Sequence, residues 1–370
     1  MRELIADPAD LRPETPWSAT KWAYVSEESL VDHDARPRLC VAALLPFRDR
    51  KPDWDGFVRC IEWMRAGAAH FGLEIVFVLN ADTGYIFNLD EPTYSEVLRR
   101  FRDAFPEQRF IAGVTARGIE HDTSFRADRY HPLLDLAQVY DNCEVMLMTS
   151  RHLAALGPEQ RRDAYCEIAE RLQRPALVHA LEPAFVHWAT HFEPWLLREL
   201  ISHPKFIGGK VSTLTEPHFL YWASLCHDLK PDFTPHSGDD FGLSTAVRLG
   251  LPLLVGAGAS AAPLLCAAIT MWQTGARGGN LDTRVYKLFE AIQSFEDVIF
   301  RFDRRGSAAA YKHSTAHALH LLGLLASPET HPECPDVRDQ DEPARIREAM
   351  ERPLRVAQAL GIPGFKIPSA

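Results

Sequence analysis

The sequence predicts an α/β fold, a closed (β/α)8 barrel followed by a C-terminal helical extension. Three observations predict it. From Arg38 onward, short apolar runs rich in Val, Ile and Leu alternate with longer stretches of helical spacing. Eight such runs occur, and each is nearly continuously apolar, as strands buried on both faces of a parallel sheet must be. After the eighth, the chain keeps only helical periodicity.

The runs are Leu39–Pro46, Leu73–Leu79, Arg109–Val114, Glu144–Thr149, Ala176–Ala180, Phe206–Lys210, Asp232–His236 and Pro252–Val255. Trp54–Phe71, Thr93–Phe105, Pro158–Leu172, Trp195–Ser202 and Glu216–Leu229 have the spacing of intervening helices. An open doubly wound sheet is the competing arrangement. It asks for a Gly-rich turn after the first strand, where this chain has Pro46-Phe47-Arg48-Asp49. Beyond the barrel, Arg284–Phe300, Ser307–Leu325 and Glu342–Leu360 carry the helical pattern, punctuated by Gly278-Gly279 and by the run from Pro328 to Pro335. The expected organisation is an N-terminal extension over 1–37, the barrel over 38–276 and the helical region over 277–370. The extension holds Pro8, Pro13, Pro16, Trp17 and Trp22, and is expected to lie over the barrel surface.

The formal net charge of -10 argues against a nucleic-acid partner, which would want a basic face. Arg99-Arg100-Phe101-Arg102 has spacing that suits the solvated face of a helix. The longest apolar stretch, Leu251 to Met271, is interrupted by Pro252 and Pro263, so no membrane span is expected. Met1-Arg2-Glu3-Leu4 opens no secretory h-region. The seven cysteines form no C-x-x-C pair, and Cys40, Cys143 and Cys266 lie in apolar runs as small hydrophobes. A reducing cytoplasm is the expected setting.

In a barrel of this kind the chemistry sits at the C-terminal ends of the strands. Lys210 closes the sixth run, Lys205-Phe206-Ile207-Gly208-Gly209-Lys210. Ammonium groups are almost never fully buried unless paired, and burial lowers a lysine pKa. A neutral amine there can attack a carbonyl and form a Schiff base. The plainer alternative is a strand end whose lysine extends into solvent. The other strand ends supply Asn80-Ala81-Asp82-Thr83-Gly84-Tyr85, then Thr115 and Arg117 with His121, Asp122 and Arg126, then Thr149, Ser150, Arg151 and His152. His179, Glu182 and His187 follow the fifth run, Ser237-Gly238-Asp239-Asp240 the seventh, and Gly256-Ala257-Gly258-Ala259-Ser260 the eighth. Asp239 and Asp240 are expected to cap the next helix.

Five segments in order resemble the dihydrodipicolinate synthase / N-acetylneuraminate lyase family of Schiff-base aldolases, from about Leu39 to Gly361. Val41-Ala42-Ala43-Leu44-Leu45-Pro46-Phe47 is similar to the family's opening "alvTPF" strand. Ala81-Asp82-Thr83-Gly84-Tyr85, with Leu89-Asp90-Glu91, is similar to its "GTTGE…L…E" loop, and Ile111-Ala112-Gly113 to its "vIaG". Phe206-Ile207-Gly208-Gly209-Lys210 resembles "iiGiKe", whose lysine forms the Schiff base, and Ser237-Gly238-Asp239-Asp240 resembles "sGdD". The family also carries a C-terminal helical domain.

The resemblance implies that Lys210 is the Schiff-base residue, with no external cofactor, in a homo-oligomer, dimer or tetramer. It implies a substrate-binding role for Thr83, the second of the family's two loop threonines. The departures imply an altered substrate. Asp82 stands at the first threonine, where it would repel a carboxylate by about 4 kcal/mol for unit charges roughly 4 Å apart at an effective dielectric near 20. Either Asp82 points away, is protonated or pairs with Arg151, or the substrate end it faces is not a carboxylate. The family's proton-shuttling tyrosine segment "TPYY" reads Thr149-Ser150-Arg151-His152, so His152 is the candidate acid/base. The strand-5 segment "YNvPgRt" becomes His179-Ala180-Leu181-Glu182-Pro183-Ala184-Phe185, without its arginine, and the glutamate after the loop glycine becomes Tyr85.

The catalytic candidates are Lys210, His152 and Thr83; the substrate-binding candidates are Asp82, Arg151, His179 and Gly256. The expected function is a lyase, aldolase or hydro-lyase acting on a keto acid or polyhydroxylated keto compound, distinct from dihydrodipicolinate synthase and sialic acid lyase proper. A non-catalytic binder on the same barrel is one alternative. A metal-dependent lyase or hydrolase using His179, His187, His236, Asp82 and Glu182 is another, although none of these has metal-motif spacing on one helix. His313, His317 and His320 share one helix side and are expected to lie outside the barrel mouth. Gly275-Ala276-Arg277-Gly278-Gly279 is expected to join two helices and is discounted as a phosphate loop.

Overall fold

The computed structural model describes residues 38–119, 122–240, 242–256, 258–278, 283–300, 310–334, 340–362 and 365. The extension over 1–37, with Trp17 and Trp22, and His121 lie outside the described residues.

Eight parallel strands close into a barrel: β1 (Leu39–Ala42), β2 (Ile75–Leu79), β3 (Phe110–Val114), β4 (Cys143–Leu147), β5 (Ala176–Leu181), β6 (Phe206–Ser212), β7 (Thr234–Ser237) and β8 (Leu253–Val255). Each pairs with its sequence neighbours, and β8 returns to β1 through Leu39 opposite Leu253 and Val41 opposite Val255. The strands are buried on both faces, which is why they show no alternation in the sequence. A short antiparallel hairpin, Phe47–Arg48 with Lys51–Pro52, follows β1 and turns through Asp49 and Arg50 at positive φ. The first apolar run therefore leaves the regular strand at Ala42, four residues before its expected end.

The helices are α1 (Trp54–His70), α2 (Glu91–Ala104), α3 (His131–Gln138), α4 (Arg151–Ala154), α5 (Pro158–Glu170), α6 (Pro194–Ser202), α7 (Glu216–Leu229), α8 (Leu243–Arg248), α9 (Gly258–Gly278), α10 (Arg284–Ile299), α11 (Tyr311–Leu321) and α12 (Glu342–Leu360). Side-chain caps set several starts: Asp53 accepts from Gly56 N, and Asp90 accepts from Thr93 N with Pro92 in the first turn. The strand-to-helix joints on β6 need small residues. A Cβ on Gly209 would lie 2.5 Å from the Trp222 ring of α7, so glycine is what lets that helix pack close.

Two expectations about loops are corrected. The N-cap of α8 is Gly242, with no side-chain cap, so Asp239 and Asp240 do not start that helix. Gly275 to Gly278 form the last turn of α9 and not a connection. No helix among the described residues is long and apolar enough to cross a membrane.

Candidate active site

Lys210 is the fifth residue of β6, with His179 of β5 and His236 of β7 beside it in register. It is only 6% exposed. Burial pushes its ammonium below the ordinary value of 10.5, while the charges of Asp240 and Asp82 pull it back up. The neighbouring imidazoles stay neutral. Burial, together with the charge of Lys210, holds His179 well below its usual range, and burial pushes His236 down to about 4. His179 bridges Met148 Sδ at 3.1 Å and Ser212 Oγ at 3.1 Å, and His236 Nδ1 lies 3.0 Å from the carbonyl of Thr234. The imidazoles on the two flanking strands are therefore uncharged, and the opposing charges that act on Lys210 are those of Asp240 and Asp82.

The loop after β2 carries Asp82, whose charge acts on this lysine. Asn80 and Tyr85 both adopt positive φ, 51° and 62°, a conformation costly for non-glycine residues that bends the loop back over the strand end. The Asn80 side chain helps to hold it, donating to Tyr94 O at 3.1 Å. Gly84 sits in close contact with the Asn80 backbone, where an added Cβ would be 3.0 Å from its nitrogen. This bend buries Asp82 and Thr83 together.

Their partners come from outside the barrel, from the first turn of α11. Tyr311 Oη donates to Asp82 Oδ2 at 2.9 Å and contacts Thr83 Oγ1 at 2.9 Å. Lys312 Nζ lies 2.8 Å from Asp82 Oδ1, and both side chains are buried. The Tyr311 ring stacks on Phe300 with centroids 4.5 Å apart and meets the edge of Phe185 at 5.9 Å. Burial, followed by the charge of Asp82, raises the phenol pKa well above 10.0. The cation on Asp82 is thus Lys312, where the sequence offered Arg151. Arg151 is exposed on α4 and donates to Ile119 O at 3.1 Å. The helix judged remote from the mouth supplies two of its buried groups.

The remaining candidates are distributed around this centre. Gly256, at the end of β8, lies under Thr83 and Tyr311: a Cβ there would be 2.9 Å from Thr83 Oγ1 and 3.3 Å from Tyr311 Cε2. His152 lies on α4, and its buried Nδ1 has no hydrogen-bond partner among the described residues. Glu182 binds His191 Nε2 at 2.5 Å, while His187 is exposed on the same loop. Of the α11 histidines, His313 is buried against Thr330, and His320 meets Leu325 O at 2.9 Å. Among the described residues, no group of three or more His, Cys, Asp or Glu side chains could hold a metal ion.

Sequence reasoning missed Tyr311, Lys312 and Ser212. A signal existed for the first: Tyr311, Thr315, Ala318 and Leu322 share one side of a helical repeat, and a phenol on such a face wants a polar partner.

This architecture, with a lysine buried at the end of the sixth strand, defines a (β/α)8 barrel with a helical extension that reaches into its own mouth. The fold is that of the dihydrodipicolinate synthases. The chain is similar to dihydrodipicolinate synthase from Thermotoga maritima at a TM-score of 0.69 and 15% identity, over 88% of this chain and 99% of that one. The Bacteroides thetaiotaomicron enzyme gives 0.69 and 19%, over 85% and 98%. The Acinetobacter baumannii enzyme, solved in complex with pyruvate, gives 0.68 and 18%, over 86% and 99%. No protein-family profile matches the sequence. No curated protein matches it by sequence either.

Proposed function

We propose that this chain is a Schiff-base-forming lyase of the class I aldolase type, a divergent relative of dihydrodipicolinate synthase and N-acetylneuraminate lyase. The observation that carries this reading is Lys210, buried at the C-terminal end of β6 between two neutral imidazoles, with its amine pushed toward the uncharged form. The Nζ lone pair attacks a substrate ketone carbon and the carbonyl oxygen leaves as water. The resulting iminium draws electrons from the adjacent carbon, so a carbon–carbon bond can break or form, or a hydroxyl can leave. No external cofactor is needed for these steps.

Thr83 and the backbone at Gly84 hold a substrate oxygen, and Gly256 leaves room for it. His179, kept neutral and bonded to Ser212, recognises a hydroxyl. Arg151 and His152 serve the outer end of the substrate, and the Nδ1 of His152, without a partner among the described residues, supports a proton-moving role there. Asp82 carries its charge already matched by Lys312, so neither group is a free anchor for a carboxylate. The missing strand-5 arginine supports the same conclusion: a polyhydroxylated keto compound suits the site better than bare pyruvate, and the activity differs from those of the two named relatives. Assembly as a homo-oligomer, dimer or tetramer, completes the proposal, with no nucleic-acid or membrane partner and a cytoplasmic setting.

The test is borohydride trapping with pyruvate, hydroxyacetone and longer keto sugars and keto sugar acids, read by mass spectrometry of the digested protein. The expected result is a reduced adduct on Lys210 that the Lys210→Ala variant lacks. An unlabelled Lys210 with every compound would overturn the reading.

A further inference from the structure

The polar cluster at the barrel mouth has a direction. Tyr311 has one hydroxyl proton, and it is given to Asp82 Oδ2. The 2.9 Å contact between Tyr311 Oη and Thr83 Oγ1 must then run the other way, from Thr83 to Tyr311. Thr83 consequently offers lone pairs, and not its proton, to anything else it meets. Lys312 closes the far end of the chain on Asp82 Oδ1. Thr83, Tyr311, Asp82 and Lys312 are all buried, and Phe300 and Phe185 cover the phenol ring. A buried row of hydroxyls ending on a carboxylate passes protons along itself, because each group accepts on one side as it releases on the other.

We infer, on the basis of the Schiff-base reading of Lys210, that Thr83, Tyr311 and Asp82 form a proton relay serving the carbon beside the iminium, with Asp82 as its terminal acceptor. The helix outside the barrel thereby supplies the phenol that the segment after β4 lacks. In the forward direction the carbon next to the iminium loses a proton to Thr83 Oγ1. Thr83 releases its own proton to Tyr311 Oη, and Tyr311 releases its proton to Asp82 Oδ2. One C–H bond breaks and one O–H bond forms on Asp82. The C–H electron pair becomes the enamine double bond, and the iminium π pair returns to nitrogen. No oxidant or reductant takes part. When the enamine has reacted, the proton returns along the same row, from Asp82 through Tyr311 and Thr83, while Lys312 stays in contact with Asp82 Oδ1. Asp82 is then a proton store and not a substrate contact. Tyr311 acts through Thr83 and is a positioning and relay residue.

The experiment separates imine formation from proton transfer. Wild type and Tyr311→Phe are incubated in D2O with pyruvate and with hydroxyacetone. The Lys210 adduct is trapped at equilibrium, and replacement of the hydrogens beside the carbonyl by deuterium is followed by NMR. Tyr311→Phe is expected to keep the adduct and to lose exchange by about 100-fold, at the lower end of what a positioned acid–base group contributes. The neutral double variant Asp82→Asn with Lys312→Met leaves no buried ion unpaired, and is expected to show the same split. Exchange by Tyr311→Phe within about threefold of wild type would overturn the relay. So would loss of adduct and exchange together in both variants, which would make the cluster a support for Lys210 only. An adduct with no wild-type exchange overturns the relay alone; no wild-type adduct with either ketone removes the Schiff-base reading and the relay with it.

Discussion

A side chain at Gly238 would collide with Lys210: its Cβ would lie 2.6 Å from Lys210 Cε and 2.3 Å from Ser212 Oγ. The turn after β7 is therefore the wall against which the lysine stem rests. Gly238→Ala is expected to displace the amine, slowing adduct formation at least tenfold, at roughly 1–3 kcal/mol of stability, the usual cost of overpacking. Adduct kinetics beside a thermal melt would check it; a variant that traps at the wild-type rate would show that the wall is loose.

The pH dependence of Lys210 has a definite sign. Its folded pKa lies below the ordinary 10.5 because of burial, so between the two values the unfolded chain holds more protons. Stability is then lost at low pH and rises as pH approaches about 10. Adduct formation should also rise with pH, with an apparent pKa below 10.5. Lys210→Met, without the buried ammonium, is expected to be at least as stable as wild type at pH 7, with the difference shrinking as pH rises. Urea titrations across that range test this.

Asp82 and Lys312 form a buried ion pair, with side chains 5% and 8% exposed. Removing one partner leaves the other uncompensated. Lys312→Ala is expected to cost about 3–5 kcal/mol, whereas Asp82→Asn with Lys312→Met should recover most of that loss. A double-mutant cycle by chemical denaturation measures the difference, and simple additivity would contradict the pairing.

Glu296 of α10 is fully buried, and neither carboxylate oxygen has a hydrogen-bond partner among the described residues. Burial, then the charges of Asp240 and Asp297, raise its pKa well above 4.5. The helix carrying it is tied to the same loop, since Gln293 Nε2 donates to Asp240 O at 2.8 Å. The folded state keeps a proton that the unfolded state gives up, so this group's contribution falls as pH rises above its unfolded pKa. Glu296→Gln should match wild type near pH 4 and exceed it at pH 8 by more than about 1 kcal/mol. Equal stability at both pH values would mean that Glu296 is ionised in the fold.

The barrel was legible because both faces of its strands are buried, which leaves a simple mark: uninterrupted Val, Ile and Leu. Strand ends were less legible. Ala43 to Leu45 remain buried after β1 stops, and Ala43 N still donates to Val78 O, so burial continues where regular pairing does not. Lys210 stood out because a cation ends an apolar run. Arg151 was the wrong cation for Asp82 because proximity along the strand order was the available guide, while Lys312 lies 230 residues away.

The sequence by itself determined the eight strands, their parallel order and the lysine at the end of the sixth, because these follow from local burial patterns and their alternation with helices. Tertiary structure alone decided what surrounds that lysine. Tyr311 meets Thr83 across 228 residues, and such contacts leave no periodicity in the chain. They arise because a helix folded outside the barrel must bury a phenol and an ammonium, and the mouth of the barrel holds the hydroxyl and carboxylate that satisfy them.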